Sequence, residues 1–286
     1  MVISPMQMES KLFHLLVLPL SLAAACKAPD GAGRPLPGAP VAKAVEVAAP
    51  ILGAPFEESI PGCTTTLALV PVPGPKPLWM SAHEVPWEVY DVYVFKKDEV
   101  LGLTSAAVDA VTRPTQPYVP MDQGFGHAGY PALSMSCLSA QSFCEWLSAH
   151  TGRRYRLPTE EEWERAARAG DAGEWIGGGE LDLYAWTASN SPEKTQPCGT
   201  RKPNALGLYD ILGNTGEWCI APDGSGVVRG GSFRSTREEA RFSARLLPLP
   251  EWNRRDPQIP KSKFWLTDAP FVGFRVVCDG PAPTAR

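Results

Sequence analysis

The sequence lacks the charge pattern of a nucleic-acid-binding protein. Its 27 lysines and arginines are outnumbered by 31 aspartates and glutamates, which gives a formal net charge of -4. Proteins that bind nucleic acid through its phosphates need a basic surface, so this balance argues against that class of partner. No internal repeat is present either. At 44% hydrophobic residues, the chain can still bury a full-sized core.

The sequence also lacks the residue spacings of a zinc site. None of its seven cysteines has a partner in a CxxC spacing, and only His83, His127 and His150 follow the N-terminal apolar segment. Beyond Cys26 an even number of cysteines remains, as expected for a disulfide-bonded exported protein, although spacing alone leaves their connectivity open. These six are Cys63, Cys137, Cys144, Cys198, Cys219 and Cys278.

The N-terminal apolar stretch has the length of a secretory segment and is too short to span a membrane comfortably. Lys11 precedes LFHLLVLPLSLAAA, which ends at Cys26. We therefore predict a signal peptide over residues 1–25. Alanines before a cysteine resemble a bacterial lipoprotein processing site, where the cysteine is lipidated, so we expect a cell-envelope lipoprotein whose only membrane contact is this anchor. The alternative is an ordinary cleaved signal in which Cys26 has no role.

Composition divides the rest of the chain into three parts. Residues 26–55 are rich in Ala, Pro and Gly and poor in aromatics, so they bury too little apolar area to fold and are predicted to form a tether. All nine tryptophans fall within residues 56–280, which we predict to be one loop-rich domain. Residues 281–286 form a short tail.

Local signals predict two helices and a few short strands. SAQSFCEWLSAHTG has apolar residues at helical spacing and ends at Gly152, and RLPTEEEWERAARAG begins with a capping box from Thr159 to Glu162. Strands are predicted at EVYDVYVF, GVVRGGSF and FVGFRVVC, which are rich in β-branched and aromatic residues. Two helices among scattered strands indicate an α+β fold.

Four sequence blocks in this order resemble one known family. RLPTEEEWERAARAG, GLYDILGNTGEWC, VVRGGSFR and FVGFRVV are similar to segments of the formylglycine-generating enzyme, or sulfatase-modifying factor, family, and the likeness spans roughly residues 56–279. The resemblance implies an α+β domain related to C-type lectin-like domains, with little regular secondary structure. Longer phrases, such as DPQIPKSKFWLTDAPFVGFRVV, resemble a bacterial envelope-associated branch of that family.

The resemblance also implies where an oxidase centre would lie. The family's oxidases hold copper with two cysteines just after the GGS[FY] element, at positions that match Ser235 and Ala240 here. Because copper(I) needs thiolate ligands, we expect no copper and no sulfatase activation by the known mechanism. We assign no catalytic residue. The candidates are Ser232, which matches the family serine beside the active site or else caps a turn, together with Arg234 and His127.

The arginines around this element have two interpretations. Their guanidinium groups could line a pocket for an acidic ligand, or they could pair with the domain's many carboxylates. They are Arg229, Arg234, Arg237, Arg241 and Arg245. For His127 on its glycine-rich loop, the alternatives are a cleft-facing functional residue and a solvated one.

The resemblance further implies structural calcium. The family site corresponds to side chains at Asp210 and Glu217 with backbone carbonyls at Gly213 and Thr215, and oxygen ligands suit this hard cation. The alternative is a turn capped by the two carboxylates. A second family calcium corresponds to Asn190 and the carbonyl of Ser191, with no further ligands identifiable. Family members also pair two cysteines that match Cys144 and Cys278, which predicts a disulfide.

Three functions follow as hypotheses. The preferred one is an envelope-anchored binding or structural module whose partner is a protein or a glycan. The second is an oxidoreductase of the wider family, which includes non-haem iron members that need a facial triad of histidine and carboxylate ligands, acting on an exported substrate. The third, a formylglycine-generating oxidase, is contradicted by Ser235 and Ala240.

Overall fold

The structure is a computed structural model that describes residues 53–191 and 193–280. The predicted signal peptide, Cys26, residues 27–52 of the predicted tether and the tail lie outside the described residues. Everything described belongs to one structural unit, Ala48–Arg286. No helix within that part of the chain combines the length and apolar character needed to cross a membrane.

Two small sheets organise the described chain. The strands are β1 (Phe56–Ser59), β2 (Thr66–Pro71), β3 (Leu78–Ser81), β4 (Arg154–Arg156), β5 (Gly216–Ile220), β6 (Gly226–Arg229), β7 (Arg245–Leu246), β8 (Val272–Gly273) and β9 (Val277–Asp279). The first sheet has the order β1-β2-β3-β9-β4 and is antiparallel throughout. The second has the order β7-β6-β5-β8, with β5 and β8 parallel, so β7 is an edge strand.

The helices are short, with one exception. They are α1 (Trp87–Val94), α2 (Lys97–Val100), α3 (Ala106–Asp109), α4 (Cys137–Thr151) and α5 (Glu160–Arg168), with 3-10 turns at Ile176–Gly179, Leu181–Leu183 and Pro250–Asn253. This mixture of short elements and long loops confirms the predicted α+β class.

Both predicted helices are confirmed, together with their boundary signals. In α4 the Ser136 side chain accepts the amide of Ser139 at the start, and Gly152 ends the helix with φ 70°. In α5 the Thr159 capping box is complete. Helix α5 ends at Arg168, two residues before Gly170, because Ala169 already adopts the left-handed conformation.

The strand predicted over EVYDVYVF is wrong, because this segment is helix α1. Nearly every residue of α1 is buried, including Val89, Tyr90 and Tyr93. A short apolar run buried on all sides carries no alternation with which to separate strand from helix. The other two predicted strands are confirmed in shortened form: GVVR is β6, and FVGFRVVC is divided between β8 and β9.

Aromatic packing joins α1, α4 and the segment between β8 and β9. The Phe143 ring lies 5.6 Å from that of Tyr90 and 5.3 Å from that of Phe274, measured between ring centroids. A second buried cluster places Trp163 of α5 with Cys219 of β5 and Val227 of β6. Strand β6, from which the next loop leaves, is therefore packed into this second buried cluster.

Candidate functional site

The turn after β6 requires glycine at two positions. Gly230 and Gly231 have φ of 87° and 73°, and a Cβ at Gly230 would lie 2.8 Å from the carbonyl oxygen of Ile211. At Gly231 it would lie 2.9 Å from the Cα of Ala240. Left-handed backbone and close approach together favour glycine here. The two residues turn the chain sharply out of the second sheet.

A cavity of about 450 Å³ opens beside this turn. Its lining includes Gly231, Ser232, Arg234, Ser235, Arg241 and Phe271. A concave site of this size, walled by backbone, aromatic and a few polar groups, is the usual form of a ligand site. We take this cavity as the candidate functional site.

The structure brings together the two positions at which the resemblance places copper cysteines. A Cβ at Gly231 would be 3.1 Å from both the Ser235 Oγ and the Ala240 Cβ, so the two residues flank the same glycine. They offer a hydroxyl and a methyl group. Neither supplies the thiolate that copper(I) needs, so this donor set does not fit a copper ion.

The two serines of the turn bond to backbone amides. The Ser232 Oγ accepts the amide of Arg234 at 3.2 Å, and the Ser235 Oγ accepts the amide of Ser232 at 3.0 Å. Ser232 is buried. This is the turn-capping role that the sequence left open for Ser232, and no histidine or carboxylate is described as a hydrogen-bond partner of either hydroxyl.

Three of the five nearby arginines are engaged by the protein. Arg229 is buried and donates to Glu160 at 2.8 Å and to Glu164 at 2.7 Å. Arg245 shares Glu160 at 2.6 Å. Arg237 donates to the Gly179 carbonyl at 2.8 Å. Pairing with carboxylates is therefore confirmed for Arg229 and Arg245, whereas Arg237 binds a backbone carbonyl.

Arg234 and Arg241 differ from the other three. Both line the cavity and are exposed, and neither side chain forms an ion pair or hydrogen bond within residues 53–191 and 193–280. The Arg234 guanidinium lies 5.2 Å from the ring centroid of Phe233 and 5.7 Å from that of Phe271. Partial burial lowers the pKa of Arg234. Unpartnered guanidinium groups beside a cavity are suited to an anionic ligand.

The His127 side chain does not line the cavity, but the loop that carries it packs against a residue beside the cavity. Its Nε2 is 3.1 Å from Asp91 of α1 and its Nδ1 is 3.2 Å from Asp122, while the ring stacks on Trp87. Burial opposes protonation, yet the hydrogen bonds to the two aspartates outweigh it and raise the pKa of His127. The same loop packs Phe125 against Phe233 at 5.5 Å. His127 therefore fastens a loop next to the site.

One predicted calcium ligand, Glu217, is already paired with a buried cationic side chain of the protein, that of Arg275. The oxygens of Glu217 lie 2.6 and 2.7 Å from Arg275, and Glu217 Oε2 also accepts Trp163 Nε1 at 2.6 Å. Asp210 Oδ2 accepts the Gly199 amide, whereas its buried Oδ1 has no partner in the described chain. Asp210 is thus compatible with a cation, but Glu217 is not in this arrangement.

The loop between these carboxylates uses its amides for hydrogen bonds, whereas no described hydrogen bond uses the predicted carbonyl ligands of Gly213 and Thr215. Gly213 donates its amide to the Gly230 carbonyl, and Thr215 donates both its amide and its hydroxyl to Glu84. Within the described ranges no three His, Cys, Asp or Glu residues are grouped so as to hold a metal ion. The predicted site has two carboxylates and two backbone carbonyls, so such a grouping is not required for it, and calcium binding stays a prediction.

The second predicted calcium position is folded into a turn. The Asn190 Oδ1 accepts the Thr187 amide, and its Nδ2 donates to Asp182 and to the Ala185 carbonyl. The Ser191 carbonyl accepts the amide of Glu193 at 2.7 Å. These groups stabilise the loop in which they lie, and a second calcium stays a prediction.

Both predicted disulfide partners lie in the buried cluster that contains the aromatic side chains of α1 and α4. Cys144 of α4 and Cys278 of β9 are buried and carry free thiols in the structure. The pairing stays a prediction for chemical analysis.

Two buried charged residues near the site were missed by sequence reasoning. Glu84 accepts hydrogen bonds from Asn214 and Thr215, and burial, assisted by Asp210 and Glu217, raises its pKa to about 8. Arg275 donates to Glu217 and to three backbone carbonyls, including that of Tyr209. Arg275 is a charged residue inside an apolar run, and that signal could have identified it. Glu84 directly follows His83 and carries no such signal.

Comparison with known proteins gives the family. The model described as "Sulfatase-modifying factor enzyme 1-like domain" matches residues 72–279. The chain belongs to this family. The formylglycine-generating enzyme of Streptomyces coelicolor is 31% identical, over 38% of this chain and 43% of that protein. Inactive C-alpha-formylglycine-generating enzyme 2 of Bos taurus is 29% identical, over 43% of this chain and 46% of that protein.

The sulfatase-modifying factor fold extends to a solved structure. Treponema denticola variable protein 1 superposes with a TM-score of 0.55 at 19% identity, covering 79% of this chain and 99% of that one. This confirms the formylglycine-generating enzyme fold, related to C-type lectin-like domains, that the resemblance implied. The chain matches less than half the length of the two curated relatives above, of which one is named as an enzyme and the other as inactive. Family membership therefore leaves activity to be decided by the site.

Proposed function

We propose that this chain is an envelope-anchored binding module of the sulfatase-modifying factor family, and that its ligand occupies the cavity beside Gly230-Gly231-Ser232. The proposal combines a family scaffold with an N-terminal segment suited to export and lipidation at Cys26. The ligand is a protein or a glycan of the envelope.

One observation carries the proposal: Ser235 and Ala240 flank Gly231 where the resemblance places two metal-binding thiolates. The next cysteines along the chain are Cys219 and Cys278, outside the turn. The cavity therefore has a polar wall that includes Ser232 and Ser235 but no sulfur ligand for copper. A concave site without its redox ligands is suited to binding rather than to oxidation.

The first experiment asks whether the cavity captures a ligand. The full chain would be incubated with envelope extract, and so would an Ala244→Trp variant, in which an indole side chain fills the cavity from its wall. Ala107→Trp, on the exposed surface of α3, is the matched control. We expect capture by the wild type and by Ala107→Trp, with a marked loss in Ala244→Trp. Equal capture by all three proteins would contradict a binding role for this cavity.

A second experiment tests oxidation directly. The protein is loaded with copper under oxygen and supplied with a cysteine-containing sulfatase peptide, and the aldehyde is measured by mass spectrometry. We expect no aldehyde, in the wild type or after exposure to reductant. Aldehyde formation would overturn the proposal.

The oxidoreductase alternative is tested by metal content. A facial triad needs histidine and carboxylate ligands gathered on one metal. In the structure His83 stacks on Tyr209, His127 bonds two aspartates, and His150 bonds Asp98 at 2.7 Å. Stoichiometric iron in the purified protein would favour the oxidoreductase, whereas calcium alone would support the binding module.

The anchor is tested at Cys26. Lipid labelling in the producing cells should mark the wild type and not Cys26→Ser, and the variant should leave the membrane fraction. A labelled, membrane-bound Cys26→Ser protein would place the anchor elsewhere.

A further inference from the structure

We propose that the cavity recognises a carboxylate side chain of an extended peptide, held by the guanidinium groups of Arg234 and Arg241, with the peptide backbone lying along the exposed edge of β7. The inference rests on the proposed binding function and names the chemistry of its ligand. Its support comes from the arginines, from the acidic residues around them and from the edge strand.

The five arginines of one short segment differ in whether their side chains have hydrogen-bonding partners. Between residues 229 and 245, three arginines have partners inside the protein: Arg229, Arg237 and Arg245. Arg234 and Arg241 have none in the described chain, although carboxylates are plentiful in the same region. Neither guanidinium group forms an ion pair or hydrogen bond in the described chain, and both line the cavity.

The surroundings of Arg234 favour an incoming anion. Its guanidinium lies near the rings of Phe233 and Phe271, where it is partly removed from water. Arg255 repels it, and Glu193 attracts it without forming an ion pair. A partly desolvated cation without a counter-charge binds a carboxylate more strongly than a fully hydrated one does, because part of its dehydration cost is already met.

The acidic residues of the cavity leave these guanidinium groups free. Glu239 accepts the Thr236 amide at 2.8 Å and so stabilises the local turn. Glu238 is exposed and forms no ion pair in the described chain. Glu160, on α5, is shared by Arg229 and Arg245. A ligand in the cavity therefore meets two guanidinium groups without an ion pair, alongside the carboxylates of Glu238 and Glu239 in the same wall.

The edge of the second sheet indicates a peptide. Strand β7 pairs with β6 on one side only, and its Leu246 also lines the cavity. Leu246, Leu247 and Leu249 are 43%, 57% and 52% exposed. An extended peptide can add to such an edge through backbone hydrogen bonds, with alternate side chains reaching opposite faces. Apolar side chains would then cover the leucines while an acidic one reaches the arginines.

The test uses the full chain and synthetic probes. A labelled short peptide of alternating leucine and glutamate is titrated against the wild type, against an Arg234→Gln/Arg241→Gln variant and against Arg154→Gln. The last is a control that removes the same charge from β4 in the other sheet, where the Arg154 side chain is 78% exposed. Neither cavity arginine forms an ion pair or side-chain hydrogen bond in the described chain, and Arg234 contacts only the rings of Phe233 and Phe271. Equal melting temperatures would verify that the double variant keeps the fold.

We expect the acidic peptide to bind the wild type and to lose about tenfold in affinity for each arginine removed, as for the loss of a charged hydrogen bond. Arg154→Gln should match the wild type. A peptide with glutamine in place of glutamate should bind the wild type as weakly as the acidic peptide binds the double variant. Added salt should weaken the acidic peptide selectively.

Two results would overturn the inference. Binding of an oligogalacturonate, which carries carboxylates on a glycan, in place of the peptide would refute the peptide occupant. Equal affinity of the acidic peptide for the wild type and the double variant, or no binding at all, would refute the arginine site. If the peptide fails while Ala244→Trp still abolishes capture from envelope extract, the inference fails and the proposed binding function stands.

Discussion

Glu217 and Arg275 form a bidentate ion pair in which neither side chain has any exposed surface. Glu217 lies on β5, and Arg275 lies between β8 and β9, so the pair joins the two sheets at their centre. Arg275 also donates to the carbonyls of Ser81 and Tyr209. Trp163 completes the set by donating to Glu217. The pair is therefore a structural centre of the fold.

Removing one charge of this pair should destabilise the domain strongly. We expect Glu217→Gln to lower the free energy of unfolding by about 3 to 5 kcal/mol, because Arg275 would remain buried without a counter-charge. Chemical denaturation followed by tryptophan fluorescence would measure the loss.

A matched control is available on α5. Glu161→Gln makes the same chemical change where the carboxylate is 90% exposed and 3.6 Å from Arg165. Its effect should stay below about 1 kcal/mol. Equal losses in the two variants would show that the buried pair has no special role.

Calcium binding is decided by the same residues. The family resemblance predicts that calcium raises the melting temperature and that Glu217→Ala or Asp210→Asn abolishes the increase. The Glu217–Arg275 pair predicts no increase, because Arg275 already neutralises the carboxylate. Melting curves with calcium and with chelator separate these outcomes, and identical curves would remove the calcium assignment.

Glu84 should make the stability of the domain depend on pH. Burial raises its pKa to about 8, so the folded state holds a proton that the unfolded chain releases near pH 4.5. The folded state is therefore favoured at low pH, and stability should fall as the pH rises toward about 8. Asp210, with a pKa raised by burial to about 6, acts in the same direction at lower pH.

Glu84→Gln isolates this contribution. The slope of the unfolding free energy against pH should flatten between about pH 7 and about pH 8, above the range in which Asp210 titrates. Denaturation at a series of pH values measures the slope. An unchanged slope in the variant would show that Glu84 is ionised in the folded protein.

His127 and His83 should titrate on opposite sides of the ordinary histidine pKa. Burial, reinforced by Arg275, lowers the pKa of His83, whereas Asp91 and Asp122 outweigh burial and raise that of His127. Resonances followed by nuclear magnetic resonance against pH would show both, and Asp122→Asn should lower the pKa of His127 alone.

The sign of the His127 effect on stability follows. Its contribution is complete below the unfolded pKa near 6.5 and is lost as the pH rises through the raised folded pKa. Because the imidazole is 44% exposed, His127→Gln should cost about 1 kcal/mol or less. A larger loss that persists at high pH would point to packing on Trp87 instead.

The predicted disulfide is tested by peptide mapping without reductant. The resemblance predicts one linked peptide that contains Cys144 and Cys278, and a bridge of that span would stabilise the fold by about 4 kcal/mol. Recovery of both residues as alkylated thiols from protein unfolded under oxidising conditions would refute the pairing.

The family and the helix boundaries could be predicted from the sequence because the signals for them lie in neighbouring residues. The end of α4 follows from Gly152 and the start of α5 from the Thr159 capping box, each of which acts within one turn of helix. The glycine turn after β6 and the lack of thiolates at Ser235 and Ala240 are likewise properties of adjacent residues. Helix α1 was missed because its apolar run is buried on every side and shows no period.

The order of residues specifies which groups are present: the family blocks, the helix caps, the glycine turn and five arginines around it. How those groups pair depends on the three-dimensional fold. Arg229 and Glu160 are 69 positions apart, and Glu217 and Arg275 are 58 apart. Ion pairs depend on distances of a few ångströms, which spacing along a folded chain does not set. For that reason only the fold separates the arginines with internal partners from Arg234 and Arg241, which form no ion pair or hydrogen bond in the described chain.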